Sequence, residues 1–293
     1  MNTISKRAQS AGWIAAIFLA VAPAGAQPVK KITVKGSDTM VLVAQRWAET
    51  YMQSHPEVQI QVTGGGSGTG IAALINGTCD IANSSRPIKV SEKQKAGQFG
   101  SAVKEYKVAQ DALSVVVNTK NPVGVLTMQQ LGAIFTGEVN NWKEVGGRDA
   151  PIVRYSREAN SGTYVFFKEH VLLDADYAAD AQTLAGTAAV AEAVANDANA
   201  IGYGGVAYFA TRPACKILKV KHDPNAPAVS PLMPDGKSIN YEAVYDGSYA
   251  IARYLYCYTP GKQKPGVKEY LQWIVGPEGQ QIAKQLDYIP IKP

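Results

Sequence analysis

KITVK (31–35) alternates polar and apolar residues as a short strand does, and Gly36 interrupts it. MVLVAQRWAETYMQSH (40–55) then spaces its apolar residues at helical intervals until Pro56 ends the run. VQIQVTGGG (58–66) alternates again, IAALI (71–75) opens a second helix that Asn76-Gly77 stops, and CDIANSSRPI (79–88) predicts a strand running into a loop. The order is β-α-β-α-β, with Gly, Ser and Thr clustered at the carboxyl end of each strand. That order predicts a parallel sheet flanked by helices, with ligands at those turns.

The rest of the chain repeats the logic. ALSVVVN (112–118) is an almost continuous apolar strand, and LTMQQLGAIFTGEVNNW (126–142) is a helix and turn. PIVRYSREANSGTYVFFKEHVL (151–172) predicts strand, polar turn, Ser-Gly-Thr and helix. An alanine-rich helix over 185–199 leads to AIGYGGVAYF (200–209), a strand and glycine turn. YAIARYLYCYT (249–259) is another apolar strand, and 266–286 is a helical pair broken at Gly276-Pro277. We read two α/β lobes, crossed near 112–118 and 249–259. Residues 27–111 with 255–293 form lobe 1 and 112–254 form lobe 2.

Residues 1–26 stand apart. Lys6 and Arg7 precede the apolar run 11–22, and Pro23 and Ala24-Gly25-Ala26 follow. This is the pattern of a secretory signal peptide cut after Ala26, and the run is shorter than the ~20 residues that span a bilayer. No cysteine lies near the cut for lipid attachment, so we expect a freely diffusing periplasmic protein. Lys6 and Arg7 account for two of the five net positive charges, leaving +3, and no Lys/Arg run points to nucleic acid. Of Cys79, Cys215 and Cys257, export permits one disulfide, with Cys215–Cys257 the favoured pair among three possibilities. His55, His170 and His222 are too scattered for a metal site, and no cofactor is expected.

GGGSGTGIAAL (64–74) invites a nucleotide reading that its register refuses. A dinucleotide fingerprint beginning at Gly65 would need glycine where Ser67 stands, and a phosphate-binding Walker loop needs a lysine, absent between positions 36 and 88. The hydrolase elbow fails too, because Thr69 follows Ser67 at the glycine place, and Ala159 and Thr163 flank Ser161. A helix amino terminus holds anions without lysine, through unpaired N–H groups and partial positive charge. Ser67-Gly68-Thr69 and Ser161-Gly162-Thr163 both occupy such places, one per lobe, and Ser37-Asp38-Thr39 is a third polar turn. Any one alone is an ordinary helix cap. Arg157 stands at the mouth of the second triplet, suited to a tetrahedral oxyanion. Arg86 either touches an anion or bridges a carboxylate, and Tyr203 and Tyr208 read as core.

GSDTM (36–40), GGGSGTG (64–70), DIANSSRPI (80–88), REANSGT (157–163) and AIGYGG (200–205), in that order, resemble the periplasmic phosphate-binding proteins of the ABC-type Pst importers. The resemblance spans nearly the whole mature chain. It implies a type II periplasmic binding protein fold, a monomer closing over one phosphate, membrane permease subunits as partners, and no enzymatic activity. It implies a hydroxyl donor at Thr39, backbone donors at Met40 and Gly162, and further contacts from Ser67, Arg157, Ser161 and Thr163. Two positions depart from the best-known members. Ser85 stands where they place the carboxylate that accepts the proton of hydrogen phosphate, and Asp38 is our candidate substitute. Ala159 replaces the aspartate that pairs with the arginine, a role Glu158 could take. A sulfate-binding relative and an exported phosphatase are the alternatives.

Overall fold

The computed structural model describes residues 29–98 and 102–292; the expected signal peptide lies outside the described residues. The first half alternates as expected: β1 (Lys30–Gly36), α1 (Val41–Ser54), β2 (Val58–Gly65), α2 (Ser67–Ile75), β3 (Ile81–Ser84) and α3 (Val90–Gly97). A long strand, β4 (Lys104–Asn118), leads to β5 (Val125–Thr127), α4 (Met128–Thr136), β6 (Val153–Arg157), α5 (Gly162–His170), β7 (Gln182–Leu184), α6 (Thr187–Asn196) and β8 (Ala200–Gly205). After β9 (Cys215–Ile217), β10 (Lys219–Lys221) and α7 (Tyr241–Tyr245), the chain returns through β11 (Ala252–Thr259) to α8 (Val267–Val275) and α9 (Pro277–Gln285).

The main sheet runs β2-β1-β3-β11-β4-β8-β6-β7, with β9 also on β4. β1 pairs in parallel with β2 and β3, and β6 with β7 and β8, whereas β4 and β11 run antiparallel to each other and to the strands they meet. Residues 104–112 of β4 face β11, and residues 113–117 face β8. One strand therefore belongs to both halves of the sheet, and its apolar run is longer than the alternation alone predicts because both of its flanks are covered.

Two large cores follow this division. One gathers Trp47, Tyr51, Val108, Leu255 and Tyr270, so α8 and α9 return to the first half. The Trp47 indole seals that return by donating to Gly279 O at 2.7 Å. The other core gathers Leu113, Val117, Phe135, Phe167 and Tyr203. Registers of Gly36 with Gly65 and with Asn83 place the carboxyl ends of β1, β2 and β3 side by side. Two of the three expected anion turns, those after β1 and β2, leave the sheet there, and the third follows β6.

The cysteines correct one expectation. All three are buried free thiols, and Cys215 and Cys257 lie in separate cores. Cys215 Sγ donates to Ala191 O at 3.4 Å, while Cys257 Sγ donates to Asn83 Oδ1 at 3.2 Å. Each behaves as a small apolar side chain with a weak donor rather than as half of a crosslink.

Candidate anion-binding cleft

The first turn after β1 is a short 3-10 segment, Asp38–Met40, that feeds α1. Tyr208 and Tyr288 pin it from behind, their hydroxyls donating to Asp38 O at 2.7 Å and Thr39 O at 2.6 Å. Burial pushes the Tyr208 phenol up to about 12, so it stays a donor. Tyr208 thus buttresses the turn as well as packing beside the core. The Met40 amide donates to Ser37 O at 3.0 Å within the turn.

The second turn starts its helix earlier than the apolar run predicts: Ser67, Gly68 and Thr69 are already the first residues of α2. Gly66 makes this possible at φ +90°, where a side chain would also strike Asn160 O. Ser67 Oγ does not cap the helix. It accepts the Ser85 amide at 3.0 Å and lies 3.3 Å from Ser85 Oγ. Beyond β6, Ser161 caps α5, its hydroxyl accepting from the amides of Thr163 and Tyr164 at 3.2 and 3.4 Å. Ser161 is thus the ordinary helix cap that its sequence context allows.

These turns meet across the two lobes. Thr39 Oγ1 and Thr163 Oγ1 are 2.9 Å apart, and the Gly68 amide donates to Asn160 O at 2.9 Å. A Cβ on Gly162 would sit 2.3 Å from Ser67 Oγ and 2.7 Å from Ser85 Oγ, so only glycine lets α5 approach this closely. Thr39, Ser67, Ser85, Ser161 and Thr163 are all buried. Ser67, Ser161 and Thr163 each accept an N–H, from Ser85, from Thr163 and Tyr164, and from Arg253, which leaves their own hydroxyl protons free to donate.

Arg157 reaches from the end of β6 into the first lobe. Its Nη2 donates to Asp38 Oδ2 at 2.7 Å and its Nη1 to Thr187 Oγ1 at 2.8 Å. Burial pulls the guanidinium below its ordinary value, and the Asp38 charge opposes the shift. Arginine starts so high that it remains protonated. Asp38 Oδ1 accepts the Gly65 amide at 2.7 Å. Asp38 thereby takes the pairing for which Glu158 was one candidate; Glu158 is exposed and contributes its backbone carbonyl to the Ser161 amide. A carboxylate from the other lobe holds Arg157 because the adjacent position cannot turn back onto it.

Arg86 resolves to the second of its two expectations. It grips Glu92 with Nη1 and Nη2 at 2.8 and 2.7 Å, forming a bidentate pair. Tyr203 lies in the core, donating or accepting against Ser156 Oγ at 2.8 Å and Tyr177 OH at 2.7 Å. Residue patterns alone miss Asp111 and Arg253. Arg253 Nε and Nη2 donate to Asp111 Oδ2 at 3.0 and 2.7 Å, and Nη2 also donates to Thr163 Oγ1 at 3.0 Å. The available signal was a lone charge inside each of two apolar strands, at the head of ALSVVVN and within YAIARYLYCYT. No group of His, Cys, Asp and Glu among the described residues could hold a metal ion.

Two lobes sharing crossing strands, with helix amino termini and hydroxyls converging between them, define a type II binding protein. The chain belongs to the PBP superfamily, whose domain model matches residues 21–278. It is 32% identical over 276 residues to the phosphate-binding protein PstS of Pseudomonas aeruginosa, covering 87% of this chain and 81% of that one. PstS of Staphylococcus aureus is also 32% identical, over 261 residues, with 87% and 76% covered. Among solved structures, a putative phosphate ABC transporter substrate-binding protein from Clostridium perfringens, with bound phosphate, superposes at TM-score 0.77 and 30% identity over 90% of this chain and all of its own.

Proposed function

We propose that the cleft binds inorganic phosphate and that the protein hands it to the membrane permease subunits of an ABC importer, acting as a monomer exported to the periplasm. The observation that carries this is the meeting of Thr39 and Thr163 at 2.9 Å between two helix amino termini, with Ser67, Ser85 and Ser161 beside them. Hydroxyls and amides supplied by both lobes reward a tetrahedral anion only when the lobes close, so ligand and closure favour each other. The relatives named above carry phosphate in their names, and one was solved with phosphate bound.

The site residues are Asp38, Thr39, Met40, Ser67, Ser85, Arg157, Ser161, Gly162 and Thr163, with the lobes divided at 27–111 plus 255–293 and 112–254. Asp38 serves twice, holding Arg157 and accepting the proton of hydrogen phosphate, since each of its oxygens retains a second lone pair. Sulfate, which brings no proton, then faces a carboxylate with nothing to share. The chemistry is retention and release. His55 and His170 stack on Tyr51 and Phe166, each bonding to that residue's carbonyl, so neither activates a cleft serine as a phosphatase would require. Protein purified without added phosphate and then denatured is expected to release about one phosphate per chain in a colorimetric assay, in keeping with a single desolvated site. Release of none after expression in phosphate-rich medium contradicts the reading.

A further inference from the structure

Arg253 and Asp111 are register partners on β11 and β4, the two strands that run between the lobes. Both are buried, at 5% and 1% exposure. A guanidinium is planar, with Nε and Nη2 on one edge and Nη2 and Nη1 on the next. Asp111 Oδ2 occupies the first edge, at 3.0 Å from Nε and 2.7 Å from Nη2. The second proton of Nη2 lies along the other edge, and its acceptor is Thr163 Oγ1 at 3.0 Å. Nη1 carries an N–H parallel to that one. It is buried and, among the described residues, has no hydrogen-bond partner.

The edge bearing Nη1 therefore faces the Thr39–Thr163 hydroxyl pair with one donor used and one unused. Such a fork matches two oxygens of a tetrahedral anion. We infer that Arg253 is a second anion-binding arginine of this cleft, donating through Nη1 to a bound phosphate oxygen while Asp111 fixes its plane. Arg157 is a separate donor: its Nη2 and Nη1 each spend one N–H, on Asp38 and Thr187, and its buried Nε has no hydrogen-bond partner among the described residues. Arg253 also brings the ligand into contact with the crossing strands themselves, so that anion charge and hinge position are read by one side chain. When Arg253 donates to Thr163 Oγ1, that hydroxyl keeps its own proton free for the anion or for Thr39.

This inference rests on the phosphate reading, and the test separates the two. Removing Arg253 alone strands the buried Asp111, so the informative variant is the neutral pair Asp111→Asn with Arg253→Gln. Wild type and variant, stripped of ligand and compared by circular dichroism, are titrated calorimetrically with inorganic phosphate. A folded variant is expected to bind about 10- to 100-fold more weakly, the loss that follows removal of a charge-assisted donor from a buried anion. In ¹⁵N guanidinium spectra of the wild type, the Nη signals missing from the variant are expected to shift on adding phosphate. If that variant unfolds, Arg253→Lys, which keeps a cation beside Asp111, identifies the wild-type signals in its place, and their shift decides. Wild type that binds phosphate with unmoved Arg253 signals, or a folded variant of undiminished affinity, overturns the inference. Wild type that binds no phosphate overturns the functional reading beneath it.

Discussion

Arg157 Nη2 sits 2.7 Å from Asp38 Oδ2, joining the end of β6 to the first turn after β1 through an ion pair whose side chains are 1% and 19% exposed. The pair spans 119 residues of sequence and both lobes. It holds a buried cation at the junction of the lobes, and in the proposed function a bound anion adds to that contact.

Replacing Arg157 with alanine removes that cation and leaves Asp38 facing the cleft. Phosphate affinity is expected to fall by more than about 2 kcal/mol, because a charge-assisted donor is lost next to a buried anion. Calorimetric titration measures it. An affinity equal to wild type would place Arg157 outside the site.

Asp38→Asn probes selectivity. The amide preserves shape but can donate as well as accept, so sulfate no longer meets an unshared carboxylate. The ratio of phosphate to sulfate affinity is expected to narrow, chiefly through a gain for sulfate. A ratio unchanged from wild type would show that discrimination lies elsewhere.

At Gly162 the obstacle is steric. A methyl group there would fall 2.3 Å from Ser67 Oγ, well inside contact distance. Gly162→Ala is expected to fold, since the clash exists only with the lobes together, but to lose at least about 1–3 kcal/mol of phosphate affinity, the usual cost of overpacking. Small-angle scattering should show the wild type contracting with phosphate and the variant failing to do so. Contraction of both would contradict the close approach described for α5.

The thiols offer a check on the fold. Burial pushes the Cys79 thiol up to about 12, aided by Asp80, and raises those of Cys215 and Cys257 as well. Below those values the sulfurs stay protonated and unreactive. Native protein near pH 8 is expected to resist a thiol reagent that labels all three after denaturation, and reductant should leave the melting temperature unchanged. A stabilising effect of oxidation would restore the disulfide.

Much of this architecture is legible in local patterning. KITVK and VQIQV announce β1 and β2 through alternation, and Ser-Gly-Thr ahead of an aromatic or aliphatic run announces α5 and α2, because caps and periodicity act over a few residues. Ser67 being helical already, rather than a loop before the helix, is a matter of Gly66 carrying the sharp turn. The partners of charged groups were another matter. Arg157 finds Asp38, and Arg253 finds Asp111 across 142 residues, through strand order and lobe closure that no local spacing encodes. Glu158 was the nearer carboxylate to Arg157 in sequence and the wrong one in space. The cysteines misled for the same reason, since export permits a crosslink but separate cores forbid this one.

In the function proposed above, the two lobes close on phosphate in preference to sulfate. Calorimetric titration of ligand-stripped wild-type protein with each anion, between about pH 5 and 8, where phosphate retains at least one proton and sulfate has none, tests it most directly. Tight one-to-one phosphate binding with far weaker sulfate binding across that range is the expected result. Equal affinities for the two, or no heat with phosphate, would contradict it.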